Sequence, residues 1–140
     1  MKNSKLGMTF VEVIVAMAIF AILVVAIFPA FLLGVKLNAV SKISVENATE
    51  SQSIMEEIYG YSLNYTLADT ITALTTEYPA ISVSGQTTTM TKTDATYTTV
   101  IQFTTDTPAA GMTKTLITVT KLDNPYGARQ GQAETILLFR

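Results

Sequence analysis

The chain has 140 residues, of which 49% are hydrophobic and 14% are charged, and its net charge is −2. Soluble domains average about 25% charged residues, so this chain is unusually apolar for its length. Cysteine, histidine and tryptophan are absent, which excludes disulfides, thiol nucleophiles, and histidine as a metal ligand or general base.

The apolar residues are concentrated near the start of the chain. Residues 1–7 contain Lys2 and Lys5 but no acid, and we predict that they form a short leader. Residues 13–35 contain no charged side chain, and as a helix they would extend about 35 Å at about 1.5 Å per residue. This length exceeds the hydrocarbon core of a bilayer, about 30 Å, so the sequence predicts one membrane-spanning helix.

Glu12 precedes this apolar run directly. An acidic side chain at the edge of a membrane segment is costly, so its default interpretation is functional. Thr9 and Glu12 also have the spacing of a capping box, in which two side chains satisfy free amides at the start of a helix. The residues alone leave both roles open for Glu12.

The orientation of the membrane helix follows from weak charge signals. Lys2 and Lys5 precede the apolar run, whereas Lys36 and Lys42 follow it. Basic residues favour the cytoplasmic side, and here the two sides are nearly balanced apart from the free amino terminus. We expect the amino end in the cytoplasm and residues 36–140 outside.

The pattern becomes amphipathic after residue 35, which predicts that the helix continues in water over residues 36–60. One helix is therefore predicted from Met8 to about Tyr59, bent or loosened near Pro29. Its stripe of apolar and small residues recurs at steps of three and four, and comprises Leu37, Val40, Ser44, Ala48, Ser51, Met55 and Ile58.

Residues 61–140 are predicted to form a connecting region and a threonine-rich β-sheet domain. Turn residues separate five β-prone runs, at residues 80–84, 87–91, 96–104, 113–122 and 135–139. A small sheet alone is marginally stable, and an amphipathic helix supplies the missing apolar layer. The predicted fold class is α+β, with the long N-terminal helix packed on a small antiparallel sheet.

The sequence indicates no catalytic, cofactor or metal site. The acidic residues lack the spacing of a calcium loop, and no nucleophile is accompanied by a general base. Only Lys2, Lys5 and Glu12 of the charged residues lie before residue 36, so acids outnumber bases in the remainder. This balance argues against a basic nucleic-acid surface.

Residues 5–12, Lys-Leu-Gly-Met-Thr-Phe-Val-Glu, and the apolar run that follows resemble the N terminus of the type IV pilin and pseudopilin superfamily. The resemblance implies that a prepilin peptidase cuts the Gly7–Met8 bond and methylates Met8. It also implies that Glu12 is the assembly carboxylate, which pairs with the N-terminal ammonium of a neighbouring subunit. Pro29 matches a helix-loosening proline of many members, but the cysteine pair of many Gram-negative major pilins is absent.

A cut before the apolar run keeps the helix, whereas a secretory signal is cut after its apolar region and lost. The resemblance thus implies a pilin-like subunit of a type IV pilus or type II secretion pseudopilus, more similar to a minor than to a major component. The implied partners are the prepilin peptidase, other pilin or pseudopilin subunits, the inner-membrane assembly platform and membrane lipid. The implied location is the cytoplasmic membrane, in a single pass, and then a surface or periplasmic filament.

Three alternatives stay open at this point. The chain is a major pilin subunit in the first, and a membrane-anchored adhesin or binding module without a filament in the second. In the third it is an anchored enzyme, which would have to rely on acids, lysine, serine or tyrosine.

Overall fold

The computed structural model describes residues 9–127 and 130–140. Its first element is a helix of 53 residues, α1 (Phe10–Ser62), which contains Pro29 and continues through it. The chain divides into two compact units, Met1–Ala39 and Val40–Arg140, and α1 contributes to both. The predicted long helix is confirmed, and it ends slightly beyond the predicted Tyr59.

The helix residues of the first unit have no cover within the chain. Every described residue up to Asn38 is exposed, including all the large apolar side chains. This segment makes α1 long and apolar enough to cross a membrane, judged by length and composition. The prediction of an apolar helix is confirmed for its described part.

The helix residues of the second unit carry a buried stripe that faces a sheet. Its buried members are Asn47, Ser51, Ile54, Ile58 and Ser62. The buried stripe differs from the predicted one by about one position along the helix. Asn47 and Ile54 are buried more deeply than Ala48 and Met55, which the prediction placed in the stripe. Hydrophobic periodicity cannot predict that a polar residue such as Asn47 is buried.

A second helix, α2 (Leu67–Leu74), lies in the stretch that the sequence predicted as a connection. Thr66 caps it, since its hydroxyl oxygen accepts a hydrogen bond from the Asp69 amide at 3.2 Å. Leu74 and the following Tyr78 are buried in the core. The connection thus adds apolar side chains to the core.

Five antiparallel strands form one sheet in the simple order β1-β2-β3-β4-β5. Their bounds are β1 (Ala80–Ser84), β2 (Thr87–Thr93), β3 (Tyr97–Thr105), β4 (Thr113–Lys121) and β5 (Gln130–Leu137). The α+β prediction is confirmed. The largest difference from the predicted strands concerns β5, which starts at Gln130 because pairing with β4 extends through polar residues that show no apolar alternation.

Side chains alternate between the two faces of the sheet, as the period of a strand requires. Ile101, Phe103, Ile117 and Val119 are completely buried on the face that carries the core. The opposite face is rich in threonine, and no helix of the described residues covers it. The core lies between one sheet face, the second half of α1 and α2.

Gly131 allows α1 to approach β5 closely. A Cβ atom at this position would overlap the backbone carbonyl of Asn47 and the amide nitrogen of Ala48. Only glycine fits where two backbones are this close. An isolated glycine within a strand-like stretch is the sequence signal for such a contact.

A charged pair joins α1 to the end of β4. The Lys121 ammonium donates to Oε2 of Glu46 at 2.7 Å, and Lys42 lies 3.9 Å from Oε1. The hydrogen bond from Lys121 lowers the pKa of the Glu46 carboxyl and raises the pKa of Lys121. Glu46 therefore contributes stability above its ordinary pKa, and this contribution is lost as the pH falls through its lowered pKa.

We expect Gly131→Ala to destabilise the domain, because the added methyl overlaps backbone atoms that cannot rotate away. Overpacking of this kind costs about 1 to 3 kcal/mol. Thermal unfolding of the full chain in detergent, followed by circular dichroism of the sheet, measures the effect.

Gly60→Ala is the matched control for this change. Gly60 lies inside α1 with nothing within 4 Å of an added Cβ, so alanine should stabilise the helix by up to about 1 kcal/mol. An unchanged midpoint for Gly131→Ala would contradict the close approach of α1 to β5.

Candidate processing and assembly segment

The start of α1 is held by a reciprocal pair of side chains. The Glu12 amide donates to the Thr9 hydroxyl oxygen at 3.3 Å, and the Thr9 amide donates to Oε2 of Glu12 at 3.1 Å. The Thr9 hydroxyl lies 3.3 Å from the same carboxylate oxygen and donates to it. This is the capping box that the spacing of the two residues allows.

The capping box serves two needs at the start of an apolar helix. It satisfies amides that have no partner within the helix, which is costly to neglect in an apolar environment. It also places a negative carboxylate at the positive end of the helix dipole. Glu12 thus stabilises the helix start within its own chain.

The capping box uses only one oxygen of Glu12. Among residues 9–127 and 130–140, no hydrogen bond reaches Oε1 of this carboxylate. A carboxylate accepts several hydrogen bonds on its two oxygens. The local role and a role toward an outside cation are therefore compatible on one side chain.

Pro29 lies well inside α1 and removes one backbone bond of the helix. It has no N–H group to donate to the carbonyl four residues earlier, at Val25. The helix assignment is continuous through this position. The bend or loosening expected at Pro29 stays a prediction.

Two predicted site residues, Gly7 and Met8, lie outside the described residues. The structure therefore does not test the leader cleavage and methylation assigned to them, and both stay predictions. The described part of the segment begins at Thr9. It brings Thr9 and Glu12 together, while Pro29 lies about five turns of helix further on, at about 3.6 residues per turn.

The second unit offers no additional chemical centre among the residues that the structure describes. No group of three or more acidic residues there is placed to hold a metal ion. Asp94 accepts hydrogen bonds from the amides of Thr96 and Tyr97 at 2.7 and 2.8 Å, which is ordinary turn chemistry. These bonds lower the pKa of Asp94.

Burial raises the pKa of Tyr78 to about 12, and Glu77, Glu57 and Glu50 act in the same direction. Lys92 donates to Glu77 at 2.8 Å and lies 5.6 Å from the centre of the Tyr78 ring. Tyr78 belongs to the core cluster and no nucleophile accompanies it. Its raised pKa therefore reflects packing.

We expect Thr9→Val to loosen the first turn of α1, because valine keeps the shape of threonine but removes the hydroxyl that Glu12 uses. Loss of a threonine cap costs about 1 kcal/mol. Amide hydrogen exchange at residues 10–13 of the full chain in micelles should accelerate about fivefold.

Thr9→Ser retains the hydroxyl and should retain the slow exchange. Equal exchange rates in the valine and serine variants would contradict the capping role of Thr9.

Comparison with known proteins supports the resemblance of the N-terminal segment and gives no match for the remainder of the chain. Residues 2–28 match the family model described as the prokaryotic N-terminal methylation motif. Searches of curated proteins and of solved structures gave no match. The matched residues include Gly7, Met8 and Glu12, and they extend almost to Pro29.

This motif implies processing by a prepilin peptidase and assembly with other pilins, and the long apolar helix that it overlaps is consistent with anchoring in the inner membrane. The match ends within α1, so it says nothing of the threonine-rich sheet. The chain therefore carries a type IV pilin-like prepilin segment at its amino end.

Proposed function

We propose that the chain is a structural subunit of a type IV pilus or type II secretion pseudopilus. A prepilin peptidase cuts the Gly7–Met8 bond and methylates Met8, and the mature subunit then moves from the membrane into a filament. The observation that carries the proposal is the match of residues 2–28 to the methylation motif, which includes the first part of an uncovered apolar helix.

Glu12 is the assembly carboxylate in this proposal. Its Oε2 accepts a hydrogen bond from the Thr9 amide, and Oε1 accepts one from the methylated ammonium of Met8 of a neighbouring subunit. A charge pair in apolar surroundings fixes the axial register, because a shifted neighbour would leave both charges unpaired. The capping box supports this role because it holds the carboxylate at a fixed position on the helix.

The apolar helix makes the transfer from membrane to filament feasible. Lipid and a bundle of apolar helices offer the same side chains similar surroundings. Large apolar residues such as Phe10, Met17 and Val25 are at least two-thirds exposed in the isolated chain. Neither the starting state nor the final state of the transfer exposes them to water.

The proposed topology is a single pass with the amino end in the cytoplasm and the sheet domain outside. The inner-membrane assembly platform receives the subunit, and lipid surrounds residues 13–35 until extraction. We propose no catalytic activity, since the sequence lacks histidine and cysteine and no constellation of other groups supplies a nucleophile with a base.

Within the filament we propose a minor component. The Glu12-Val13 pair and the run at residues 15–20 are more similar to minor pilins and minor pseudopilins than to major subunits. A major subunit is the alternative within the same class. The abundance of the chain relative to other subunits in purified filaments distinguishes the two.

A second candidate from another class is an anchored binding module that never enters a filament. The threonine-rich outer face of the sheet favours it, because that face is uncovered among the residues the structure describes. Such a module would keep residues 1–7, so the state of the mature amino terminus separates the two proposals.

We expect the mature chain to start at Met8 and to be one methyl group heavier than the cleaved sequence. Gly7→Leu should leave the precursor uncut, because a bulky side chain replaces glycine at the scissile bond. Mass measurement of the N-terminal peptide checks both results.

Ser4→Leu is the control, since it adds the same side chain to the leader away from the cut. A mature-length product that persists with Gly7→Leu would argue against prepilin processing.

We expect Glu12→Gln to be cleaved normally but excluded from filaments. The substitution leaves the neighbour's ammonium without a counter-charge in apolar surroundings, at a cost of about 3 to 5 kcal/mol. Sheared filaments and membranes are compared by quantitative immunoblotting.

Glu50→Gln removes an acid from an exposed position on the same helix and should assemble as the natural chain does. Normal incorporation of Glu12→Gln would show that the carboxylate charge is not used in assembly.

A further inference from the structure

Strands β1 and β5 form the two outer edges of the sheet. Within residues 9–127 and 130–140 no strand pairs with either outer edge. An unpaired edge is a row of backbone donors and acceptors that can bind a strand of another chain. Natural edges are usually blocked by charge or proline, but β1 contains neither, and residues 80–91 carry no charge at all.

The side of β1 that faces the core is apolar but bare. Ile81 pairs with Met90 of β2, and Val83 pairs with Thr88, so both side chains project to the same face as the buried Met90. Ile81 is nevertheless 40% exposed and Val83 is 70% exposed. The helices of the second unit therefore leave this edge of the core face uncovered.

The opposite edge, β5, lies beside a helix but has no strand on its outer side. Gly131 brings α1 against the first part of β5, and beyond it an open groove runs between the two elements. The groove is lined by Gln52, Met55, Glu56, Gln132, Ala133, Glu134 and Thr135. Met55 is half-buried against the core and faces this groove. Strand β1 thus has apolar side chains that no helix covers. Beyond β5, one flank of α1 has no strand packed against it.

We propose that β1 of one copy adds to the outer edge of β5 of a second copy, with Ile81 and Val83 covered by the second copy's α1. The inference rests on the proposed function in its major-subunit form, because only an abundant subunit meets its own copies during filament assembly. Each neighbouring pair in the sheet is antiparallel, so β1 and β5 run in the same direction. Copies in the same orientation therefore join by parallel pairing, and the contact can repeat without closing.

Charge is compatible with this arrangement. Glu134 at the groove is paired with Lys114 at 3.0 Å, and β1 adds no charge to the joint. Two copies of an acidic chain repel each other elsewhere, whereas the uncharged residues 80–91 can approach a groove that contains Glu56 without like-charge contact.

The test uses the absence of cysteine in the natural chain. Ser82→Cys and Gln132→Cys place single thiols on the faces of β1 and β5 opposite the core, and Gln132 also borders the groove. The two full-length variants, with different tags, are produced together in the membrane and treated with a short bis-maleimide. We expect a crosslinked product that contains both tags, and little product from either variant alone.

Efficient crosslinking of Ser82→Cys alone would mean that β1 pairs with β1 of another copy, and it would overturn the proposal. Absence of the mixed product would overturn it as well. If the N-terminal peptide is correctly cut and methylated in the same sample, that failure leaves the proposed function intact.

Val83→Glu, added to the Ser82→Cys chain, should lower the mixed product about tenfold, because it forces a carboxylate into a groove that already contains Glu56. Val83 is largely exposed, so the fold should tolerate glutamate. Ser84→Glu is the matched control, with the same charge on the outer face of the same strand. Equal yields from the two glutamate variants would overturn the proposal.

Discussion

An apolar helix with no cover of its own is the constraint on which the rest of the molecule depends. Residues 13–35 present hydrophobic side chains in every direction, and the chain buries none of them. Exposed apolar surface costs about 25 cal/mol per Å² in water, so this segment requires lipid or other apolar helices around it. The proposed cut at Gly7–Met8 lies ahead of this segment, so the mature chain would keep the helix.

The capping box and the proposed assembly role of Glu12 use different oxygens of its carboxylate, so one side chain can serve both. Thr9 and Glu12 close the first turn of the helix through one carboxylate oxygen, and the ammonium of a neighbour would meet the other. In the proposed assembly, the amides at the helix start therefore keep their partners both in the membrane and in the filament. A carboxylate held by its own backbone is also better oriented for a partner than a freely rotating one, because less side-chain entropy is lost on pairing.

Residues whose environment is set by their near neighbours could be predicted from the sequence. The apolar run gave the helix, the alternation at Ile117 and Val119 gave β4, and the Thr9–Glu12 spacing gave the capping box. Features that depend on distant residues could not be predicted. The pairing of Lys121 with Glu46, which lie 75 residues apart, and the burial of Asn47 opposite Gly131 follow from the register between helix and sheet.

The sheet order also determines when the domain can be completed during synthesis. Each strand pairs with the next along the chain, so hairpins β1–β2 to β3–β4 can form as they emerge. The glycine that lets the helix dock, Gly131, belongs to the last strand. The buried stripe of α1 is made first, whereas the strand that α1 approaches through Gly131 is made last, so the contact between α1 and β5 is the last of the domain's contacts that synthesis allows.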